Sequence, residues 1–179
     1  MRRAIVYAVA LALSIGWGLT GVAVGQAVKV SDKDKQFVQK AASDGLAEVQ
    51  LGQMATARAS NPEVQRFGQR MVTDHTKANQ ELMTLAQSKN LSLPKEIDKQ
   101  HQKAAEELAK KQGADFDHAY MRSMVTDHEK AVQLFTKAAN DGQDADIKAF
   151  ANKTLPTLQE HLQMARQLAQ QQGSMSQAR

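Results

Sequence analysis

Proline stands at only three places in this chain, 62, 94 and 156, and between them Ala, Gln, Lys, Glu, Leu and Met run almost unbroken from Ser31 to Gln171. These residues lose little side-chain freedom in a helix, and runs of the β-branched residues that favour strands are absent. A chain with so few breakers has one economical solution, a small number of long helices. The fold class expected is all-α.

The punctuation divides that helix into pieces. Ser31 can cap a first long helix ending near Ala59, with Asp32 and Asp34 in the turn where carboxylates suit the dipole. Asn61-Pro62 is an N-cap followed by proline at the first helical position, opening a second helix that ends near Asn90. A third long helix starts around Asp115 and stops at Asn140-Asp141-Gly142, and a fourth runs from Asp144 to Gln171 with Pro156 inside it, where a kink is expected. The turns near Ser60 and Asp141 are too short for anything but antiparallel neighbours. The connection between the second and third long helices is different, because Pro94 to Gln112 reads as a short charged helix closed by Gly113. At ~1.5 Å per residue it would climb roughly 28 Å, most of the height of a bundle. Four long helices with one long crossover containing a short helix make a ferritin-like four-helix bundle over residues 31–171, and residues 172–179 are expected to be a disordered tail.

Residues 1–25 read as a signal peptide: Arg2 and Arg3 precede an almost wholly apolar stretch, Ala4 to Leu19, and the small residues Ala23, Gly25 and Ala27 offer cleavage sites. The alternative is an uncleaved anchor, since Ala4 to Gly25 is nearly as long as the ~20 residues that span a bilayer. Either way the chain is expected to be exported, periplasmic or outer-membrane-associated, with membrane contact only through this segment. There is no cysteine, which removes disulfides, thiolate ligands and thiol nucleophiles. The charge of +4 includes Arg2 and Arg3; without them 21 basic residues face 19 acidic ones. No basic stripe with interleaved aromatics is present, and the one tryptophan, Trp17, lies in the targeting segment. Nucleic acid is therefore not an expected partner.

A five-residue word occurs twice, Met71-Val72-Thr73-Asp74-His75 and Met124-Val125-Thr126-Asp127-His128, and Lys77-Ala78-x-Gln80 recurs as Lys130-Ala131-x-Gln133. In each copy the histidine falls on the apolar seam. The second helix shows Val64, Phe67, Met71, His75, Ala78, Leu82; the third shows Tyr120, Met124, His128, Ala131, Phe135; the fourth shows Ile147, Ala151, Leu158, His161, Ala165. Glu48 shares the inner face of the first helix with Phe37, Ala41, Leu51 and Ala55. Given the crossover directions, Glu48 and His161 each lie 17 residues above their helix starts, and His75 and His128 lie 14 and 13 residues below theirs. All four fall near mid-height, one from each helix.

A carboxylate and three imidazoles in an apolar core cost several kcal/mol unless they bond one another or a cation. Two readings follow. Glu48, His75, His128 and His161 can hold one transition-metal ion, Zn, Cu, Mn or Fe; or they form a metal-free hydrogen-bonded network that specifies the core. Met71, Met124 and Met164 fall in the layer above the histidines, where thioethers would suit Cu(I) or would be packing filler. Asp74 and Asp127, one residue off the seam, are expected to be solvated or to orient an imidazole. His101 and His118 read as exposed. A di-iron oxidase is not expected, because Glu-x-x-His is missing: Val72 and Leu158 stand three residues before His75 and His161. No catalytic residue is assigned.

Several pieces carry a family resemblance: Ala57-x-Ala59-Ser60-Asn61-Pro62-x-Val64, Phe67-x-x-x-Met71-Val72-x-Asp74-His75, Phe116-Asp117-x-x-Tyr120, and Leu155-Pro156-Thr157-Leu158-x-x-His161-Leu162. Over about Asp32 to Ala169 the chain resembles the bacterial DUF4142 family. The resemblance implies a ferritin-like fold and export; it assigns no activity. The functional expectation is an exported bundle that binds one transition metal at the mid-bundle cluster, the alternative being a structural or envelope-stress module that engages an envelope protein.

Overall fold

The computed structural model describes residues 29–177, with side chains to Gly173. The segment read as signal peptide or anchor, and residues 178–179, lie outside the described residues. Within them the helices are α1 (Asp32–Arg58), α2 (Pro62–Ser88), α3 (Lys99–Ala109), α4 (Gly113–Asp141) and α5 (Ala145–Gln177). Among the described residues no helix is long and apolar enough to cross a membrane.

The caps form as their chemistry requires. Ser31 Oγ accepts from Asp34 N–H at 3.1 Å, and Asn61 Oδ1 accepts from Glu63 N–H at 2.8 Å with Pro62 behind it. At the end of α2, Asn90 adopts φ +54°. Leu91 N–H then reaches Ala86 O at 2.8 Å and Asn90 N–H reaches Gln87 O at 3.1 Å, a Schellman closure.

The chain runs up α1, down α2, up the crossover, down α4 and up α5, and hydrogen bonds at both ends establish these directions. Asp98, at the foot of α3, lies beside Lys40 in lower α1, while Ala109 O at its top accepts from Arg58 at 2.5 Å. Asp117 near the start of α4 meets the α1–α2 turn, and the α4–α5 turn returns to Asp34 at the foot of α1. The ferritin-like order expected from the crossover length is therefore the order observed.

Two details differ. The crossover helix spans Lys99–Ala109, not Pro94 to Gln112. The Asp98 carboxylate accepts His101 N–H at 2.9 Å and fixes the start there. Residues 89–98 are non-helical, with a turn and a bend, and bring the chain up to Lys40 in lower α1 before α3 begins. Gly113, with φ +55°, takes the left-handed turn that starts α4. The tail also differs, since α5 continues through Pro156 to Gln177 rather than ending at Gln171. Gln172 is buried, and the helix runs on through Gly173 despite the ~1 kcal/mol that glycine costs in a helix interior.

Packing is closest within each hairpin, α1 on α2 and α4 on α5, and lighter between the hairpins. In the first hairpin Gly52 and Gly68 let the backbones meet; a Cβ at Gly52 would stand 2.8 Å from Gly68 O. Two buried carboxylates pin the hairpins to each other. Asp117 (1 % exposed) accepts from Ser60 N–H, Ser60 Oγ–H and Asn61 N–H at 3.0, 2.5 and 2.9 Å. Asp34 (2 % exposed) accepts from the N–H groups of Gln143 and Asp144 at 3.2 and 3.0 Å. The core has a lower apolar cluster around Phe37, Leu82, Phe135 and Ile147. An upper one surrounds Leu51, Phe67, Met71, Tyr120 and Met124. The polar layer lies between them.

Candidate metal centre

Each helix of the bundle supplies one residue to that layer: Glu48 from α1, His75 from α2, His128 from α4 and His161 from α5. All four are buried, His128 and His161 completely. The three imidazole centroids are 5.7 Å (His75–His128), 5.4 Å (His75–His161) and 5.4 Å (His128–His161) apart. One ring nitrogen of each lies within 4.8 Å of the other two. Simple geometry then gives a point no more than about 2.8 Å from all three, against ~2.0–2.1 Å for a metal–imidazole bond, so sub-ångström side-chain shifts would close the site. Glu48 Oε1 is 3.7 Å from His128 Nδ1.

Hydrogen bonds settle which nitrogens are free. His128 Nδ1 is 3.0 Å from Met124 O, a carbonyl that can only accept, so Nδ1 carries the proton and Nε2 keeps the lone pair. His161 Nε2 donates to Asp74 Oδ2 at 2.9 Å, which leaves the lone pair on Nδ1. Those two lone-pair nitrogens, with His75 Nε2 and Glu48 Oε2, are buried and have no hydrogen-bond partner among the described residues. Four orphaned polar atoms at one level are a cost that a fold rarely leaves uncompensated. A carboxylate holding the outer nitrogen of an imidazole is also the usual support of a ligating histidine.

Electrostatics keep the imidazoles neutral. Burial lowers all three, helped at His75 by His128 and His161; His128 is lowered to about 4 by burial and by His161, against its bond to Met124 O. Burial pushes the Glu48 carboxyl well above its usual range, and the charges of Asp127 and Asp44 add to this. Burial raises the Asp74 carboxyl too, but hydrogen bonds from His161 and Arg70 outweigh it and hold it low. The layer thus offers neutral nitrogen donors beside a carboxyl group that lacks a cation.

An acid dependence follows. Because His128 titrates at about 4 when folded and at 6.5 as a free side chain, the unfolded chain binds protons that the folded chain refuses between those values. The stability is present above pH 6.5 and is lost as pH falls toward 4, on the order of 3 kcal/mol from His128. Glu48, raised when folded, works the other way, its stability being lost as pH rises above 4.5. Urea unfolding of the metal-free Glu48→Gln chain at pH 7, 5.5 and 4.5 is expected to show the histidine loss cleanly; a flat profile would contradict it.

The other sequence candidates separate. Asp74 orients His161, with Arg70 Nε 3.2 Å from the same Asp74 oxygen and Arg70 also 2.8 Å from Glu160. Asp127 does not reach an imidazole of the layer. The same word in α4 turns its aspartate toward α1 and α3, where Asp127 faces Lys130 at 3.7 Å and feels Asp44 and His101. Met71 and Met124 are fully buried in the upper cluster one turn from the histidines, but Met164 Sδ accepts from Arg70 at 3.4 Å and is drawn toward the surface. Tyr120 is fully buried with its hydroxyl unpartnered, and burial and Glu48 raise it. His101 is not exposed: it is 9 % accessible and sits with Asp44 and Asp98. The spacing His101, Ala105, Leu108 carried that signal, an inner face on the short helix.

The chain belongs to the DUF4142 family: the family model described as "Domain of unknown function (DUF4142)" matches residues 20–168. No curated protein matches it. Among solved structures the fold is similar to a DUF305 fragment from Deinococcus radiodurans, with TM-score 0.70 and 12% identity over 79% of this chain and 98% of that one. It is also similar to CopM in the Cu(II)-bound form, with TM-score 0.66 and 18% identity over 77% of this chain and 96% of that one. CopM in the Ag-bound form gives TM-score 0.64 at the same identity, over 77% of this chain and 96% of that one. At these identities the likeness is one of fold.

Proposed function

We propose that this member of the DUF4142 family binds one transition-metal ion between its two hairpins, with His75, His128 and His161 as ligands and Glu48 as the anionic donor beside them. The observation that carries this reading is the set of buried polar atoms without a partner among the described residues: His75 Nε2, His128 Nε2, His161 Nδ1 and Glu48 Oε2. A cation at their centre would satisfy all four and would compensate the Glu48 charge, which no cation among the described residues does. Because Glu48 and His75 belong to one hairpin and His128 and His161 to the other, the ion would clip the halves where helix packing is lightest.

Neutral imidazoles with one carboxylate suit copper and zinc better than hard cations. Copper is favoured by Met71 and Met124, thioethers one turn from two of the histidines, and by the ions seen in CopM, a bundle of similar fold.

Metal analysis by plasma mass spectrometry tests the reading, on full chain purified from a bacterial host without chelator or polyhistidine tag and loaded separately with Cu(I), Zn(II) and Fe(II). About one equivalent of one metal per chain is expected, dropping at least roughly tenfold in His75→Ala. Failure of every metal to bind, or binding indifferent to His75→Ala, would make the layer a core-specifying feature and turn the search toward an envelope protein partner.

A further inference from the structure

A second group of metal-ligating side chains lies outside the buried layer. Asp44 of α1, Asp98 at the cap of α3 and His101 of α3 each bring a ligand atom within 4.8 Å of the others. His101 Nε2 is 3.8 Å from Asp44 Oδ1. His101 Nδ1 is 3.0 Å from Asp98 Oδ1, in ion-pair contact but without the alignment of a full hydrogen bond. One cation already uses the spot: Lys40 Nζ stands 2.5 Å from Asp44 and 3.7 Å from Asp98, on a half-exposed, flexible side chain.

A cavity of about 330 Å³ runs from Asp44 and His101 of this group to the interior. Asp44, His101 and Asp127 line it on the outer side, Glu48 and His75 on the buried side. Glu48 is 6 % exposed and His75 8 %, and the unpartnered atoms of both, Glu48 Oε2 and His75 Nε2, belong to residues of its wall. His75 is the most accessible of the three layer histidines, in keeping with a passage that arrives on its side. Most of its wall is apolar, and its charged side chains are Asp44, Glu48 and Asp127 against Lys40 and Lys130; an excess of carboxylates between low-dielectric walls concentrates cations and raises their on-rate.

From this juxtaposition we infer that Asp44, Asp98 and His101 form a second, weaker and exchangeable site for a divalent transition-metal cation, which passes it through the cavity to the histidine layer. Lys40 is the tethered cation that the metal displaces. The inference rests on the proposed function for its destination, but the outer site binds in its own right. Two carboxylates and one imidazole, partly solvated and shared with an ammonium group, hold a metal less tightly than buried imidazoles and release it more readily. The short helix α3 gains a role by this: it carries His101 to the mouth, with its N-cap Asp98 3.0 Å from His101 Nδ1.

The test uses Co(II) as probe on the metal-free full chain, with stoichiometry from calorimetry and filling of the histidine layer followed by stopped-flow absorbance. The wild type is expected to take a tight and a weak equivalent. Asp44→Asn/His101→Gln, checked for folding by its melting curve, should lose the weak one and fill the layer on the order of tenfold more slowly with unchanged tight affinity. Lys40→Ala, a surface change that leaves packing intact, should tighten the weak equivalent several-fold. If the Asp44/His101 variant keeps its stoichiometry and rate, or Lys40→Ala changes nothing, the outer site is overturned while the histidine site stands. A single weak equivalent that survives His75→Ala/His128→Ala and vanishes in the Asp44/His101 variant would keep the outer site and sink the inner one. No Co(II) uptake at either affinity overturns both.

Discussion

Asp117→Ala is expected to lower the stability of the metal-free chain by about 3–5 kcal/mol, among the largest effects of any single substitution here. The carboxylate is 1 % exposed and accepts three hydrogen bonds from the α1–α2 turn, two of them from backbone N–H groups with no other role in a helix. Bonds to an ionised acceptor are worth more than neutral ones, and truncation would leave the Ser60 and Asn61 donors facing an apolar gap. Position multiplies the effect. Asp117 fixes the start of α4 on the top of the first hairpin, and His128 sits three turns below it in the same helix. A melting temperature lower by roughly 10 °C or more is expected for a domain of this size. A loss below about 1 kcal/mol would show that the turn is held by packing instead.

The second large effect has opposite signs in two conditions. In the metal-free chain Glu48→Leu is expected to raise stability by about 1–3 kcal/mol. It replaces a buried carboxyl group, unpartnered at Oε2 and shifted up by burial, with an apolar side chain of similar volume between two apolar clusters. In the metal-loaded chain the same change should weaken binding by roughly 10–100-fold, because it removes the anion beside the ligands. Paired thermal melts with and without the metal read both numbers. A Glu48 that serves only to specify the core would destabilise the chain in both conditions when replaced, and that result would contradict the functional reading. Stability withheld in the free state and returned by a ligand is what a binding site built into a core requires.

Much of this architecture is legible in the order of residues alone. The caps at Ser31 and Asn61-Pro62, the antiparallel hairpins and the long crossover follow from local rules about Ser, Asn, Pro and Gly. The mid-height coincidence of Glu48, His75, His128 and His161 follows from counting residues along helices of nearly equal length. Other features are not legible there, for reasons of packing. The two copies of Met-Val-Thr-Asp-His look alike, yet Asp74 meets His161 across to α5 while Asp127 turns toward α1 and α3, because the environment of a helix face depends on which neighbour covers it. Met164 follows the helical spacing to the layer above the histidines but is drawn outward by Arg70, a residue with no seam position to announce it. The pinning roles of Asp34 and Asp117 join groups 109 or 110 and 56 or 57 residues apart.

Local chemistry is enough to make this protein helical, to start and stop most of its helices, to set which way they run and to turn four polar residues inward. Those properties depend on backbone propensity and on periodicity, both carried within a few turns of chain. What each inward residue meets is a matter of tertiary packing: which ring nitrogens keep a lone pair, which aspartate supports an imidazole, and that α3 brings His101 to the mouth of the same cavity that reaches His75. Those are relations between side chains on different helices, set by rotamers and by the rotation of each helix about its axis. A rotation of one residue, about 100°, exchanges a buried ligand for a solvated surface group.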